Sequence, residues 1–230
     1  MSNGPVMVIT GASSGIGEAT AARAAEFDYR LVLAARSEDR LQALAERHGG
    51  PDRAIAVRCD VTSWDDQQEL MRVALDSFGQ VDVFFANAGF GAKRGFLEES
   101  VEHWKAMIDT NVYGAALSIR AALGHFRERG NGHMILTSSV AGRRVLPGSL
   151  YSATKHAVTA MGAALRAEVA ESDIKVTLIE PGAVDTPFFE QAPEYALEAD
   201  DIARAVMFAL TQPPHVDVNE ILVRPIRQPG

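Results

Sequence analysis

The chain has 230 residues, 47% hydrophobic and 23% charged, with a formal charge of −8. This is an ordinary globular composition, and its sign argues against a general role on nucleic acid or anionic membranes. The length suits one domain, 1–230, around one core. A lone Cys59 rules out an internal disulfide and a cysteine-built zinc site. At the end of the apolar run Ala54–Val57 it reads as a buried, inert thiol. No apolar run approaches the ~18 residues of a membrane span. A strand begins almost at the N-terminus, so no signal peptide is expected and the cytoplasm is the expected location.

Apolar runs then alternate with helical patterns. Strands are expected at Val6–Thr10, Arg30–Ala35, Ala54–Arg58, Val81–Ala86, Met134–Thr137, Lys175–Glu180 and Glu220–Val223. Helices are expected near Gly15–Phe27, Glu38–His48, Trp64–Phe78, Val101–Arg129, Tyr151–Glu171 and Ala199–Thr211. The early strands are short and continuously apolar, as strands covered on both faces are. Regular strand–helix alternation predicts an α/β fold, a doubly wound sheet of about seven parallel strands with helices on both faces. Thr62-Ser63 with Asp65 and Asp66 supplies a helix start, and Gly79 and Gly130 supply stops.

In such sheets, ligands bind beyond the carboxyl ends of the strands. The residues there are Gly11–Gly17, Arg36, Asp60-Val61, Asn87-Ala88-Gly89, Ser138-Ser139 and Pro181-Gly182. The first, Thr10-Gly11-Ala12-Ser13-Ser14-Gly15-Ile16-Gly17, turns a strand into a helix N-terminus, where free N–H groups and the helix dipole favour an anion. The spacing Gly11-x-x-x-Gly15-x-Gly17 suits a dinucleotide turn, though it is not G-x-G-x-x-G. The same letters spell G-x-S-x-G, a hydrolase nucleophile elbow. A turn without ligand is the third reading.

Tyr151 and Lys155 are four apart at the start of a predicted helix, on one face. A free tyrosine, with a pKa of about 10, is a poor proton-transfer group at neutral pH. A neighbouring ammonium lowers that value. The six histidines show no paired metal spacing, so no metal site is expected.

Taken in order, Thr10–Gly17, Asn87-Ala88-Gly89, Asn111, Ser138-Ser139, Tyr151-x-x-x-Lys155 and Pro181-Gly182 resemble the short-chain dehydrogenase/reductase family over nearly the whole chain. The resemblance implies a single Rossmann-type domain and a nicotinamide-dependent oxidoreductase. Tyr151 would be the general acid or base, with Lys155 lowering its pKa and binding the nicotinamide ribose. A serine would orient the substrate oxygen, and Asn111 would hold a water linked to Lys155. The family's usual interval to the tyrosine selects Ser138, while the local motif Ser138-Ser139-Val140-Ala141-Gly142 selects Ser139. Ser139 is preferred, because a one-residue deletion in the surface loop Arg143–Leu150 is cheap.

The same resemblance assigns the pyrophosphate to Gly11, Ser13, Ser14, Gly15, Ile16 and Gly17, and the adenine to Asp60 and Val61. It assigns the ribose path to Asn87, Ala88 and Gly89, and the nicotinamide end to Pro181, Gly182, Val184 and Thr186. At the end of the second strand Ala35 cannot accept from a ribose 2′-OH, whereas Arg36 suits a 2′-phosphate. NADP is therefore expected over NAD. A serine hydrolase on the Gly11–Gly15 turn and a nucleotide sensor without turnover are the competing classes.

The substrate side is less specified. A short lid, about 186–198, carries Phe188, Phe189 and Tyr195. Phe90, Arg94, Val140, Arg143, Arg144 and Leu146 lie on loops expected to face the pocket, where the basic ones could receive a carboxylate. The segment Gln212–Asn219 and its following strand are similar to a subgroup containing hydroxy-acid and clavulanate-type dehydrogenases. That similarity implies a small polar or acidic carbonyl substrate and a homotetramer (or homodimer) built on the helices Val101–Arg129 and Tyr151–Glu171.

Overall fold

The computed structural model describes residues 4–228. Its first strand, β1 (Val6–Thr10), is buried along its whole length, and the side chains alternate between two cores. Val6 and Val8 join the layer of α3 (Trp64–Phe78), α5 (Ala115–Arg129) and α6 (Leu150–Glu168). Met7 and Ile9 join the layer of α1 (Gly15–Glu26), α2 (Glu38–Arg47) and α7 (Ala199–Leu210). This is the period-2 alternation of a strand buried on both faces.

Around β1 the sheet runs β3-β2-β1-β4-β5-β6-β9, with β2 (Arg30–Ala35), β3 (Ala54–Arg58), β4 (Val83–Ala86), β5 (Asn131–Thr137), β6 (Asp173–Pro181) and β9 (Glu220–Val223). Every pairing is parallel. The strand order reverses between β1 and β4, and that switch point is where an open α/β sheet offers its ligand crevice.

Several boundaries differ from the sequence expectation. β4 starts at Val83 rather than Val81, because the Val81 N–H donates to His125 Nε2 at 3.1 Å and the Val81 carbonyl accepts from Arg129 at 2.7 Å. Both groups are thereby taken out of the ladder. β5 begins earlier, at Asn131, since pairing with β6 from Asn131↔Asp173 recruits residues that carry no apolar signal. The single helix expected at Val101–Arg129 is α4 (Val101–Ile108), a π-helical segment Asp109–Gly114, then α5. A two-stranded parallel sheet, β7 (Val184–Asp185) with β8 (Leu197–Glu198), was not foreseen. It closes the neck of the lid loop. Arg23 on α1 holds Asp200 on α7 by two bonds of 2.6 and 2.7 Å, fixing the helix that follows the lid.

No helix among the described residues is long and apolar enough to cross a membrane.

Candidate active site

A cleft of about 720 Å³ runs along the carboxyl ends of the strands, from Ser13 and Arg36 to Tyr151 and the lid. Its floor begins at the glycine turn. Gly11 and Gly15 sit at φ +64° and +58°, left-handed backbone that glycine adopts without penalty. A Cβ on Gly11 would stand 2.9 Å from Ala88 Cα, and one on Gly17 only 2.3 Å from Gly11 O. The absent side chains let the first turn of α1 fold against the strand end.

Asn87 locks this turn to the sheet. Its backbone N–H donates to Thr10 Oγ1 at 3.0 Å, and its Nδ2 donates to Thr10 O at 3.1 Å and Gly11 O at 3.4 Å. Its Oδ1 accepts from Thr137 Oγ1 at 3.1 Å. The side-chain amide is thus spent on the protein, while Asn87, Ala88 and Gly89 line the cleft.

At the other wall, Ala35 ends β2 with Arg36 and Ser37 following it, and Cys59, Asp60 and Val61 follow β3. Asp60 accepts from the Thr62 N–H at 3.0 Å and Thr62 Oγ1 at 2.8 Å. These bonds, the backbone one foremost, hold its carboxyl below the usual range, with Arg36 and Arg58 adding to the effect. Arg36 is exposed at the rim. Burial pushes the Cys59 thiol up to about 12, in keeping with an inert group.

The far end gathers Asn111, Ser139, Tyr151 and Lys155. The π-helical segment puts an extra residue into the turn that carries Asn111, which is 1% exposed. Its Oδ1 accepts from the Phe90 N–H at 3.0 Å, and its Nδ2 donates to Phe90 O at 2.8 Å and Thr154 Oγ1 at 3.2 Å. A Cβ on Gly89 would come within 3.0 Å of that Oδ1 and 3.6 Å of Lys155 Nζ.

The two serines separate cleanly. Ser138 turns under the loop, donating to Lys155 O at 3.1 Å and sharing a 2.7 Å hydrogen bond with Thr159 Oγ1. Ser139 caps the turn Val140–Gly142, accepts from the Ala141 N–H at 3.1 Å, donates to Pro181 O at 3.3 Å and has its hydroxyl beside Tyr151. Ser139 is therefore the serine that meets the tyrosine.

Burial pushes Tyr151 up to about 12, and the neighbouring Ser139 hydroxyl acts in the opposite sense. Lys155 is 4% exposed, lies 5.7 Å from the centre of the Tyr151 ring and donates to Thr137 O at 2.7 Å. Burial lowers it to about 8. The interaction that pulls the tyrosine down in this structure thus comes from Ser139, and Lys155 is an ammonium poised near neutrality.

Pro181, Gly182, Val184 and Thr186 line the same end, joined by Gln228, which no sequence pattern marked. Gln228 reaches the cleft because the C-terminal residues fold back over β6, where its Oε1 accepts from the Ala183 N–H at 3.0 Å. Of the loop residues expected at the pocket, Phe90, Arg94, Val140 and Leu146 line it. Arg143 and Arg144 do not. The Arg143 guanidinium bonds Glu180 at 2.6 Å and pairs with Glu220, tying the loop after Ser139 to β6 and β9. Burial raises the Glu180 carboxyl, and Arg143 opposes that rise.

The elbow reading of the glycine turn lacks its partners. Among the described residues no histidine lines the cleft, and the only carboxylate there, Asp60, is held by Thr62. No group of three or more histidine, cysteine or acidic residues among the described residues could hold a metal.

Comparisons with known proteins agree with this layout. The chain is 42% identical over 228 residues to an uncharacterized oxidoreductase of Staphylococcus haemolyticus, covering 97% of this chain and 98% of that one. An alcohol dehydrogenase from the archaeon Thermococcus sibiricus, complexed with 5-hydroxy-NADP, superposes with a TM-score of 0.89 at 33% identity, covering 98% of both chains. A 3-ketoacyl-(acyl-carrier-protein) reductase from Brucella melitensis, complexed with NADH, gives a TM-score of 0.90 at 30% identity, covering 98% of this chain and 99% of that one. Residues 5–196 match the short chain dehydrogenase family. With strand-end cleft, tyrosine–serine pair and sequence all agreeing, the chain belongs to that family and is an oxidoreductase of the short-chain dehydrogenase type.

Proposed function

We propose that this protein is an NADP(H)-dependent oxidoreductase that interconverts a small carbonyl compound and its alcohol, with Tyr151 as the proton-transfer group. The observation that carries this reading is the Ser139–Tyr151 hydroxyl pair beside Lys155, at the end of a cleft that starts on the glycine turn. When bound, the nicotinamide supplies the hydride.

The residues present fit a dinucleotide. Gly11, Ser13, Ser14, Gly15, Ile16 and Gly17 would take the pyrophosphate on backbone N–H groups and hydroxyls at the start of α1. Asp60 and Val61 would take the adenine, and Asn87, Ala88 and Gly89 would flank the ribose. Pro181, Gly182, Val184 and Thr186 would wall the nicotinamide end. Lys155 would bind that end's ribose, and Arg36, with no acid at position 35, favours a 2′-phosphate.

In the reductive direction Ser139 donates to the substrate oxygen and holds it beside Tyr151. Tyr151 would give its proton to that oxygen as the carbonyl is reduced, completing the alcohol. The tyrosinate regains its proton by way of Lys155 and a water held at Asn111. Oxidation reverses each transfer, with Tyr151 as base. Self-association as a homotetramer or homodimer belongs to the same reading, supported by exposed Val101, Ile108 and Tyr113 along the α4–α5 run.

The test is oxidation of NADPH and of NADH over a panel of small aldehydes and ketones. The reading expects kcat/KM with NADPH to exceed that with NADH by roughly tenfold or more, and Arg36→Ala to erase most of that preference. Equal use of both cofactors by the wild type would overturn the NADP assignment.

A further inference from the structure

Above Tyr151 the cleft is bridged by one side chain. Phe188, on the lid, meets the Tyr151 ring edge-on at 5.4 Å between centroids and 63° between planes. It is backed by Phe189 at 5.0 Å. Its tip reaches the opposite wall, where a Cβ added to Gly91 would lie 2.5 Å from Phe188 Cζ. Glycine at 91 therefore gives the ring room to span the cleft from lid to wall.

Both ends of this bridge are anchored. The wall is fixed by the Asn111 bonds to Phe90, by a 2.8 Å hydrogen bond between His103 Nε2 and Gly91 O, and by the Gly95 N–H donating to Gly148 O at 2.8 Å. The last bond ties the wall to the segment just before Tyr151. The lid is fixed by the β7–β8 pairing at its neck and by the Phe189 N–H donating to Thr186 O at 3.1 Å. A group entering beside Tyr151 must pass this ring or displace it.

We propose that Phe188, seated against Gly91, is the residue that sets the width of the substrate channel. It restricts turnover to slender carbonyl compounds, such as straight-chain aldehydes and straight-chain alkyl methyl ketones, and rejects those carrying a ring on the carbonyl carbon. This rests on the oxidoreductase reading above and adds the substrate class. A slender chain lies alongside the Phe188 ring, whereas an aryl group must push it off Tyr151, Phe189 and Gly91 together. Loss of two aromatic edge contacts disfavours the aryl substrate by roughly tenfold or more.

The experiment compares kcat/KM for propanal and for acetophenone with NADPH, in the wild type and in Phe188→Ala and Phe188→Leu. The expected result is an acetophenone-to-propanal ratio that rises about tenfold in Phe188→Ala and less in Phe188→Leu. A ratio unchanged by Phe188→Ala, or a wild type that prefers acetophenone, overturns the proposal. A second arm needs no turnover: binding of benzamide, an inert aryl probe, followed by saturation-transfer NMR. Binding by Phe188→Ala and not by the wild type supports the channel width, and equal binding overturns it. Absence of turnover with both substrates in every variant would instead count against the oxidoreductase reading, leaving the benzamide arm to decide the channel.

Discussion

Gly17 and Gly91 both sit where a side chain would collide, at 2.3 and 2.5 Å, yet they belong to opposite kinds of wall. At Gly17 the obstacle is Gly11 O, a backbone atom of a turn that Asn87 holds to two strands. At Gly91 the obstacle is the tip of Phe188, a side chain 41% exposed on a loop. The first contact cannot yield without moving the sheet, while the second yields by turning one ring. On the proposed reading, the cofactor end is built from backbone and the substrate end from side chains. Such a division holds a shared cofactor constant while leaving the substrate end free to vary.

The largest expected effect breaks the rigid end. Gly17→Ala should destabilise the fold by about 3 kcal/mol, as overpacking against fixed backbone does. It should also weaken NADPH binding by more than about tenfold. Chemical denaturation and fluorescence titration would measure the two. A variant as stable as the wild type, with unchanged affinity, would show that the turn is more pliant than its clash implies.

An intermediate effect tests the junction, where Lys155 is lowered to about 8 and Tyr151 raised to about 12. Lys155 carries its charge below the lower value and loses it as pH rises through that value, while Tyr151 keeps its proton. Carbonyl reduction should therefore decline above pH near 8, by about tenfold per unit at the limit. Lys155→Arg, charged throughout, should lose that descending limb. Identical limbs in both proteins would assign the titration to another group.

The smallest effect falls on the adaptable end. Gly91→Ala should cost about 1 kcal/mol, because Phe188 can turn aside only by giving up its edge contacts with Tyr151 and Phe189. A loss as large as that of Gly17→Ala would mean that the two walls are equally rigid.

The same division decided what could be read in the sequence. Glycines at strand ends, the apolar runs and the Tyr151-Lys155 spacing are local patterns, and the parallel sheet and the strand-end cleft follow from them. The π-helical segment around Asn111 adds one residue inside a helical pattern, which periodicity cannot register. Arg143 lies on a loop expected to face the pocket, but its partners Glu180 and Glu220 lie on strands far along the chain. Gln228 reaches the cleft only because the C-terminal residues fold back, and β7 and β8 are too short to carry a pattern. Ser138 and Ser139 differ by one position, and only the backbone direction after β5 shows which hydroxyl faces Tyr151.

In the proposed mechanism, proton transfer at Tyr151 is separate from cofactor holding at the glycine turn. The most direct test of that separation is Tyr151→Phe, with NADPH affinity by fluorescence and NADPH oxidation by absorbance measured on the same preparation with propanal as substrate. The expected result is affinity within about twofold of the wild type and turnover reduced by about a thousandfold. Turnover retained in Tyr151→Phe would contradict the mechanism.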